Sequence, residues 1–346
     1  MKKSVDIPVM ATYMPPLEMD LPISRRENLM RAIRHEKPLW MPSLYDSTQW
    51  LTPPAFCDLP TRRIRVSGAE SVDWFGTHYI YEESQLSSTP VAGVLQEVSE
   101  WEEKVRWPDL DAVEWDVAPE GFQRNEELAL ATRLGSGNFE RLHSFEGFEQ
   151  ALCDILIEPE ECKRLFDRMG EYKIACAEHL QKAWHFDYIA HNDDWSHARA
   201  PFFSLDTFKE TLLDSAIAIA DAVHALGSRY MIHCCGKMDV FVPYIVNDIH
   251  ADVIEIQNIC DIRAMLDKYS RDLTPMYALD QPFMYDPDTT AEQARKYART
   301  VVDTYGAHTC EGAGVIVRMH GNNPESYYAF QEELIRYSME KYRGLS

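Results

Sequence analysis

Long apolar runs are absent from this sequence of 346 residues. No stretch reaches 18 consecutive apolar residues, so no segment has the length and hydropathy that a transmembrane helix needs. The first 25 residues carry acids and prolines where a secretory signal peptide would have an apolar region. We therefore expect a cytoplasmic protein.

Basic residues are scarce as well. The chain has 34 Lys and Arg against 56 Asp and Glu, which gives a formal net charge of -22. A surface this acidic repels phosphate backbones and anionic lipids, so the charge argues against nucleic acid and membrane surfaces as partners. An anionic substrate would need a local Arg or Lys to offset the field.

Cysteine is present in moderate number, but a disulfide framework is not expected. The chain has eight cysteines. A cytoplasmic protein keeps its thiols reduced, so these cysteines are core residues or metal ligands.

Predicted strands and helices alternate throughout the second half of the chain. This rhythm indicates a parallel sheet, and at this length the best fit is a (β/α)8 TIM barrel. We expect an N-terminal arm over residues 1–24 and a single barrel domain over 25–346. Residues 46–130 within it would form an elaboration covering one mouth. The predicted strands are Leu39–Tyr45, Phe186–His191, Tyr230–Ile232, Asp252–Gln257, Thr274–Ala278 and Gly314–Met319; the main predicted helices are Ser24–His35, Phe145–Leu156, Pro159–Trp184, Leu205–Leu226, Ile262–Tyr269, Thr290–Tyr305 and Pro324–Tyr342.

The stretch Arg229–Gly236 has the most informative chemistry. Its predicted strand runs directly into His233, Cys235 and Gly236. Side chains alternate along a strand, so His233 and Cys235 point the same way. Imidazole and thiolate together favour zinc over magnesium or calcium. The carboxyl ends of barrel strands carry the chemistry of such folds, which predicts a zinc site at this rim.

A catalytic zinc needs a third protein ligand and one open position. His320 follows the last predicted strand and so lies on the same rim as His233. Cys310 supplies a thiolate, but it precedes that strand and would lie at the other end of the barrel. The geometry favours His320 and keeps Cys310 as the alternative.

Other polar residues follow the predicted strands. Asp193 and Asp194 are adjacent, and we expect at least one of them to orient the substrate or transfer a proton. Glu255 is a further candidate for a base or a ligand. The substrate-binding candidates are Tyr45, His191 and Trp195.

Three stretches resemble the uroporphyrinogen decarboxylase superfamily, and within it the zinc-dependent, corrinoid-linked methyltransferase branch. They are Ser24–Pro38, His191-Asn-Asp-Asp-Trp195 and His233-Cys-Cys-Gly236. In that branch a His-x-Cys pair and a distal Cys bind zinc, which implies metal-ligand roles for His233 and Cys235. The distal Cys follows the last strand in the family, where this chain has His320.

The resemblance implies a methyltransferase that uses zinc as a Lewis acid and a corrinoid (cobalamin) on a partner protein. The methyl group would move from a small methylated substrate to Co(I). A methoxylated aromatic is favoured, because Trp and Tyr are abundant and no anion clamp is evident. Transfer from the methylcorrinoid to a thiol is the nearest alternative, and a homodimer is left open.

Two other functions stay as alternatives. True porphyrinogen decarboxylases carry an Arg-rich stretch after the first strand, where this chain has Tyr45-Asp-Ser-Thr-Gln-Trp50 without arginine. A substrate with several carboxylates would meet no clamp there, so decarboxylation is disfavoured. A non-catalytic binder of tetrapyrroles or corrinoids is the remaining hypothesis.

Overall fold

A computed structural model describes residues 15–58, 66–82, 87–278, 288–310, 315–318 and 323–343. These residues form an α/β fold around a curled, seven-stranded parallel sheet in the order β1-β5-β6-β7-β8-β9-β10. A smaller antiparallel sheet has the order β2-β3-β4. The strands are β1 (Thr48–Trp50), β2 (Glu70–Val72), β3 (His78–Glu82), β4 (Ser87–Ala92), β5 (Ala129–Ser136), β6 (Tyr188–Asn192), β7 (Arg229–His233), β8 (Val253–Ile256), β9 (Thr274–Ala278) and β10 (Ile316–Arg318).

Helices follow most strands of the large sheet. This arrangement confirms the α/β class, and the half-barrel curl is consistent with a TIM-like barrel. Across the described ranges the helices are α1 (Arg25–Ile33), α2 (Leu44–Ser47), α3 (Trp101–Lys104), α4 (Asn138–Glu146), α5 (Phe148–Ile157), α6 (Pro159–Trp184), α7 (Leu205–Thr211), α8 (Leu213–Ala225), α9 (Val242–Asn247), α10 (Ile262–Tyr269), α11 (Ala291–Cys310) and α12 (Pro324–Arg343). None of these helices combines the length and the apolar character needed to cross a bilayer.

The two faces of the large sheet bury different side chains. The inner face carries a buried apolar cluster in which small strand residues, such as Ala129, Ala131 and Ala190, lie beside the larger Trp50 and Tyr188. The outer face packs against the helices through a larger apolar cluster. Burial on both faces is the usual environment of parallel strands.

The predicted first strand, Leu39–Tyr45, is wrong. The chain forms the short helix α2 from Leu44, and β1 begins only at Thr48. Within the predicted range Ser43 makes an isolated parallel bridge to Val317. The Asn28 side chain accepts from the Leu39 amide at 2.7 Å and donates to the Trp40 carbonyl at 3.0 Å. These side-chain bonds replace the ladder bonds that a strand would make there.

Two predicted helices are each divided in two. In the predicted helix Phe145–Leu156, the first two residues end α4, which begins at Asn138, and Gly147 with φ +95° separates them from α5. The predicted helix Leu205–Leu226 is interrupted at Leu212. The remaining strands and helices of the second half confirm the predicted rhythm.

A buried ionic cluster joins the small sheet to helices α4 and α6. It consists of Asp58, Asp73, Arg141 and Lys173, and we call it the Asp58 cluster. Lys173 Nζ lies 2.5 Å from Asp58 Oδ2 and donates to the Leu134 carbonyl at 2.7 Å. Arg141 pairs with Asp58 Oδ1 at 2.8 Å and with Asp73. The side chains of Arg141, Lys173, Asp58 and Asp73 in these pairs have no exposed surface.

A second buried polar contact lies at the end of α4. The Glu146 carboxyl faces Asp154, whose own oxygens accept from the Val98 amide and the Gln150 side chain, each at 2.7 Å. Burial is the main cause that raises the pKa of Glu146, and the Asp154 charge adds to it, to about 8. The folded chain therefore keeps a proton that the unfolded chain releases near pH 4.5.

We expect this proton to make stability depend on pH. The contribution of Glu146 is fully present below pH 4.5 and is lost as the pH rises through about 8. As the pH rises from 4.5 to 8, the free energy of unfolding of a Glu146→Gln variant should therefore increase by about 2 kcal/mol relative to that of the wild type. This figure is reduced because Glu146 is partly exposed. Urea unfolding of both proteins at several pH values measures this gain. The exposed neighbour Glu149→Gln should show no such trend, and an equal trend in both variants would contradict the assignment.

Candidate metal centre

Strands β6, β7 and β8 end side by side at one edge of the sheet. Asn192 is in register with His233, and His233 is in register with Glu255. Residues in register on neighbouring parallel strands present their side chains on the same face. Asn192, His233 and Glu255 therefore share the inner face at the carboxyl end of the sheet.

Asp194, His233 and Cys235 come together at this edge. One ligand atom from each lies within 4.8 Å of the others, and all three side chains are half-buried. The Cys235 Sγ is 3.4 Å from the His233 Nε2. Imidazole, thiolate and carboxylate form a donor set that suits zinc. We call these three residues the metal group.

Hydrogen bonds between side chains and backbone join the segments that follow β6 and β7. The Cys235 amide donates to Asp194 Oδ1 at 2.7 Å, and the Ser196 hydroxyl donates to the Cys235 carbonyl at 2.9 Å. Gly236 adopts φ +83°, and a Cβ there would lie 2.5 Å from the Ser196 carbonyl oxygen. Only glycine accommodates both the left-handed backbone and this close approach.

Glu255 lies behind His233. Its Oε2 is 3.3 Å from the His233 Nδ1 and 3.5 Å from an Arg133 guanidinium nitrogen. The Glu255 side chain is 1% exposed, so it contacts these neighbours more than solvent. The role of Glu255 as a catalytic base stays a prediction. In the structure its carboxylate lies against the His233 imidazole.

Asp193 points away from the metal group. Its carboxylate accepts from the Phe139 and Glu140 amides at the start of α4, at 3.3 and 3.0 Å, and from the Trp195 indole at 2.9 Å. Burial raises its pKa to about 6, although these three donors act in the opposite direction. The catalytic role of Asp193 stays a prediction. In the structure its carboxylate binds the N-terminus of α4.

The three predicted substrate-binding residues are dispersed. His191 lies on the helix-facing side of the sheet and is 3% exposed. Its Nδ1 is 3.0 Å from the Tyr230 hydroxyl oxygen, and burial lowers the pKa of His191 to about 3. Trp195 is 1% exposed and packs on Phe208. Tyr45 belongs to the buried inner-face cluster. Of the three, only Tyr45 shares the inner face with His233.

The two predicted third ligands have no described side chains. His320 lies outside the described residues. Cys310 is the last residue of α11, the helix that precedes β10, and its side chain is also outside the description. The third residue that the structure brings to His233 and Cys235 is Asp194.

Sequence reasoning missed two residues beside the metal group. Arg133 lies on the inner face near the end of β5, a strand that is not among the predicted ones. His143 on α4 interacts electrostatically with Asp194 and packs on Phe148 with ring centroids 5.8 Å apart. Burial lowers the pKa of His143 to about 4, so its ring is neutral at pH 7. No sequence pattern could relate His143 to Asp194, which follows it by about fifty residues. The small apolar residues Ala129–Ala131, in contrast, could have indicated a buried strand that leads to Arg133.

The family model described as Uroporphyrinogen decarboxylase (URO-D) matches residues 142–317, about half of the chain. The chain belongs to the uroporphyrinogen decarboxylase family. The match spans all three residues of the metal group. Membership of this decarboxylase and methyltransferase superfamily supports an enzyme. A search of curated proteins found no match.

Proposed function

We propose that this URO-D family member is a zinc-dependent methyltransferase. It transfers a methyl group from a small methylated substrate, most favourably a methoxylated aromatic, to the Co(I) corrinoid of a partner protein. The observation that carries the proposal is the metal group, in which a thiolate, an imidazole and a carboxylate meet at the carboxyl edge of the sheet. Three protein ligands with a remaining open position are the pattern of a catalytic zinc.

His233, Cys235 and Asp194 would hold the metal. When bound, zinc supplies Lewis acidity to the heteroatom that carries the methyl group. Asp194 Oδ1 accepts from the Cys235 amide, and this bond fixes the carboxylate against the thiolate. The sequence-based choices for the third ligand, His320 and Cys310, remain predictions beside Asp194.

Aromatic side chains near the metal group favour an aromatic substrate. Phe202 packs on Phe139 and on Phe148, with ring centroids 5.9 and 5.1 Å apart. His143 lies next to this cluster and to Asp194. Phe139 is fully buried, so the neutral His143 imidazole and the accessible parts of Phe148 and Phe202 would offer the apolar wall and one polar atom, which suits the ring and oxygen of a methoxyarene.

The experiment combines zinc analysis with a methyl-transfer assay. Purified protein should bind zinc, and with Co(I) cobalamin it should form methylcobalamin from a methoxyarene more readily than from a methyl thioether. Asp194→Asn keeps the shape but loses the charged ligand. It should lower zinc affinity by at least the roughly 10–100-fold typical of losing an outer contact to a metal ligand.

Other outcomes would point to the alternative functions. A wild-type protein without zinc that releases carbon dioxide from a carboxylated porphyrinogen would support decarboxylation. Transfer from methylcobalamin to a thiol, with no reaction from methoxyarenes, would support the thiol methyltransferase. Wild-type zinc affinity in Asp194→Asn would return the third ligand to His320 or Cys310.

A further inference from the structure

We infer that Arg133 is a positioning residue of the metal group, and this inference rests on the proposed zinc site. Arg133 holds the Glu255 carboxylate against the His233 Nδ1, so that the His233 Nε2 faces Cys235. The chain of contacts runs from Arg133 through Glu255 to His233.

The Arg133 guanidinium is held from three sides. One nitrogen donates to Asn192 Oδ1 at 2.7 Å, and another lies 3.5 Å from Glu255 Oε2. Its central carbon lies 4.5 Å from the centroid of the Trp50 ring. Trp50, Asn192 and Glu255 belong to β1, β6 and β8, so the group is fixed by three different strands. Its side chain is 17% exposed, which leaves little freedom to swing out.

The planar shape of arginine explains why this residue type occupies the site. A guanidinium can donate along two directions in its plane while an aromatic ring covers its face. Lysine offers a single point charge and could satisfy only part of this set. The arrangement therefore fixes the direction of Glu255 as well as its charge.

Glu255 in turn sets the orientation of the His233 ring. A carboxylate beside Nδ1 favours the tautomer with the hydrogen on Nδ1, which leaves the Nε2 lone pair available. The Nε2 is the atom that lies 3.4 Å from the Cys235 Sγ. Metal-binding histidines commonly donate their other N–H to a carboxylate or carbonyl, and this fixes both tautomer and ring angle.

The test compares Arg133→Met and Arg133→Lys with a matched variant at the opposite end of β7. Arg229 pairs with Asp252 at 2.9 Å, far from the metal group along the same strand, so Arg229→Met removes an Arg–Asp pair without touching Glu255. Zinc affinity is measured by competition with a chelator. We expect an about 10–100-fold loss in Arg133→Met, a smaller loss in Arg133→Lys and no change in Arg229→Met.

Two spectroscopic readouts separate positioning from simple destabilisation. The absorption bands of the Co(II)-loaded protein should shift in Arg133→Met and stay unchanged in Arg229→Met. In the metal-free protein, ¹⁵N NMR of the histidine rings should report the Nδ1–H tautomer of His233 in the wild type and a mixture in Arg133→Met. A merely structural residue would lower the unfolding midpoint without moving either spectrum.

The outcomes for the inference and for the proposed function are distinguishable. Wild-type affinity, Co(II) bands and tautomer in Arg133→Met would overturn the inference even if methyl transfer is found. Zinc binding that depends on Arg133, without methyl transfer from any donor, would support the inference and reject the methyltransferase. A wild-type protein that binds no metal would reject the proposed function, and a tautomer unchanged in Arg133→Met would then overturn the inference as well.

Discussion

Replacing Cys235 with alanine is expected to empty the metal site and to abolish methyl transfer. The variant keeps His233 and Asp194 but loses the thiolate, which is the donor that selects zinc in this group. The two remaining ligands, His233 at the end of β7 and Asp194 in the loop after β6, would bind zinc weakly. The amount of zinc per chain should therefore fall from about one to near zero. Mass spectrometry of the metal content and the methylcobalamin assay measure both losses.

The adjacent Cys234 offers a matched control. Its Sγ accepts from the Trp195 amide at 3.0 Å, and the side chain is fully buried away from the metal group. Cys234→Ala should therefore keep its zinc and lose only some stability. Zinc retained by Cys235→Ala, or lost equally from both variants, would contradict the site.

A second large effect is expected from Asp58→Asn. The substitution leaves Lys173 and Arg141 buried beside a neutral amide, and Asp73 alone remains to balance the two cations. Breaking a buried ion pair by removing one partner costs about 3–5 kcal/mol, because the remaining charge is desolvated without compensation. Urea or guanidinium unfolding at neutral pH measures the change in the free energy of unfolding.

Helix α6, which carries Lys173 of the Asp58 cluster, supplies the control for this prediction. Lys163 and Asp167 form an exposed pair on α6 at 3.1 Å. Asp167→Asn should change the unfolding free energy by only about 0–1 kcal/mol. If Asp58→Asn were as mild as Asp167→Asn, the Asp58 cluster would not be what holds the small sheet to helices α4 and α6.

The sequence was sufficient for the α/β class and for two of the three residues of the metal group. His233 and Cys235 follow a short apolar strand, and alternation alone places them on one side. The third residue could not be derived in this way. Asp193 and Asp194 lie in an irregular loop, where the backbone turns decide which carboxylate faces His233 and which binds α4.

His191 shows how sensitive such predictions are to the end of a strand. The predicted strand ends at His191, whereas β6 continues one residue further, to Asn192. Adjacent side chains point to opposite faces of a sheet, so His191 and Asn192 cannot both reach the inner face. His191 is consequently packed against the helices, and Asn192 takes the inner position, where it contacts Arg133.

Arg133 could not be assigned a role from sequence because its partners are distant in the chain. Glu255 and Asn192 contact Arg133 from other strands, and most of the predicted elaboration separates Trp50 from Arg133 in the chain. Only the pairing and the curl of the large sheet bring these segments together. Contacts of this kind are absent from any local pattern of apolar residues.

The hydrogen bonds beside Asp194 and Cys235 have a consequence for how the proposed zinc would be bound. The Cys235 amide, the Ser196 hydroxyl and the close approach at Gly236 order both loops through protein contacts alone. Small zinc domains, by contrast, gain their structure from the metal and unfold without it. Loading of the proposed site would therefore be a binding step on an already folded chain, and treatment with a chelator should leave a folded apoprotein that can bind zinc again.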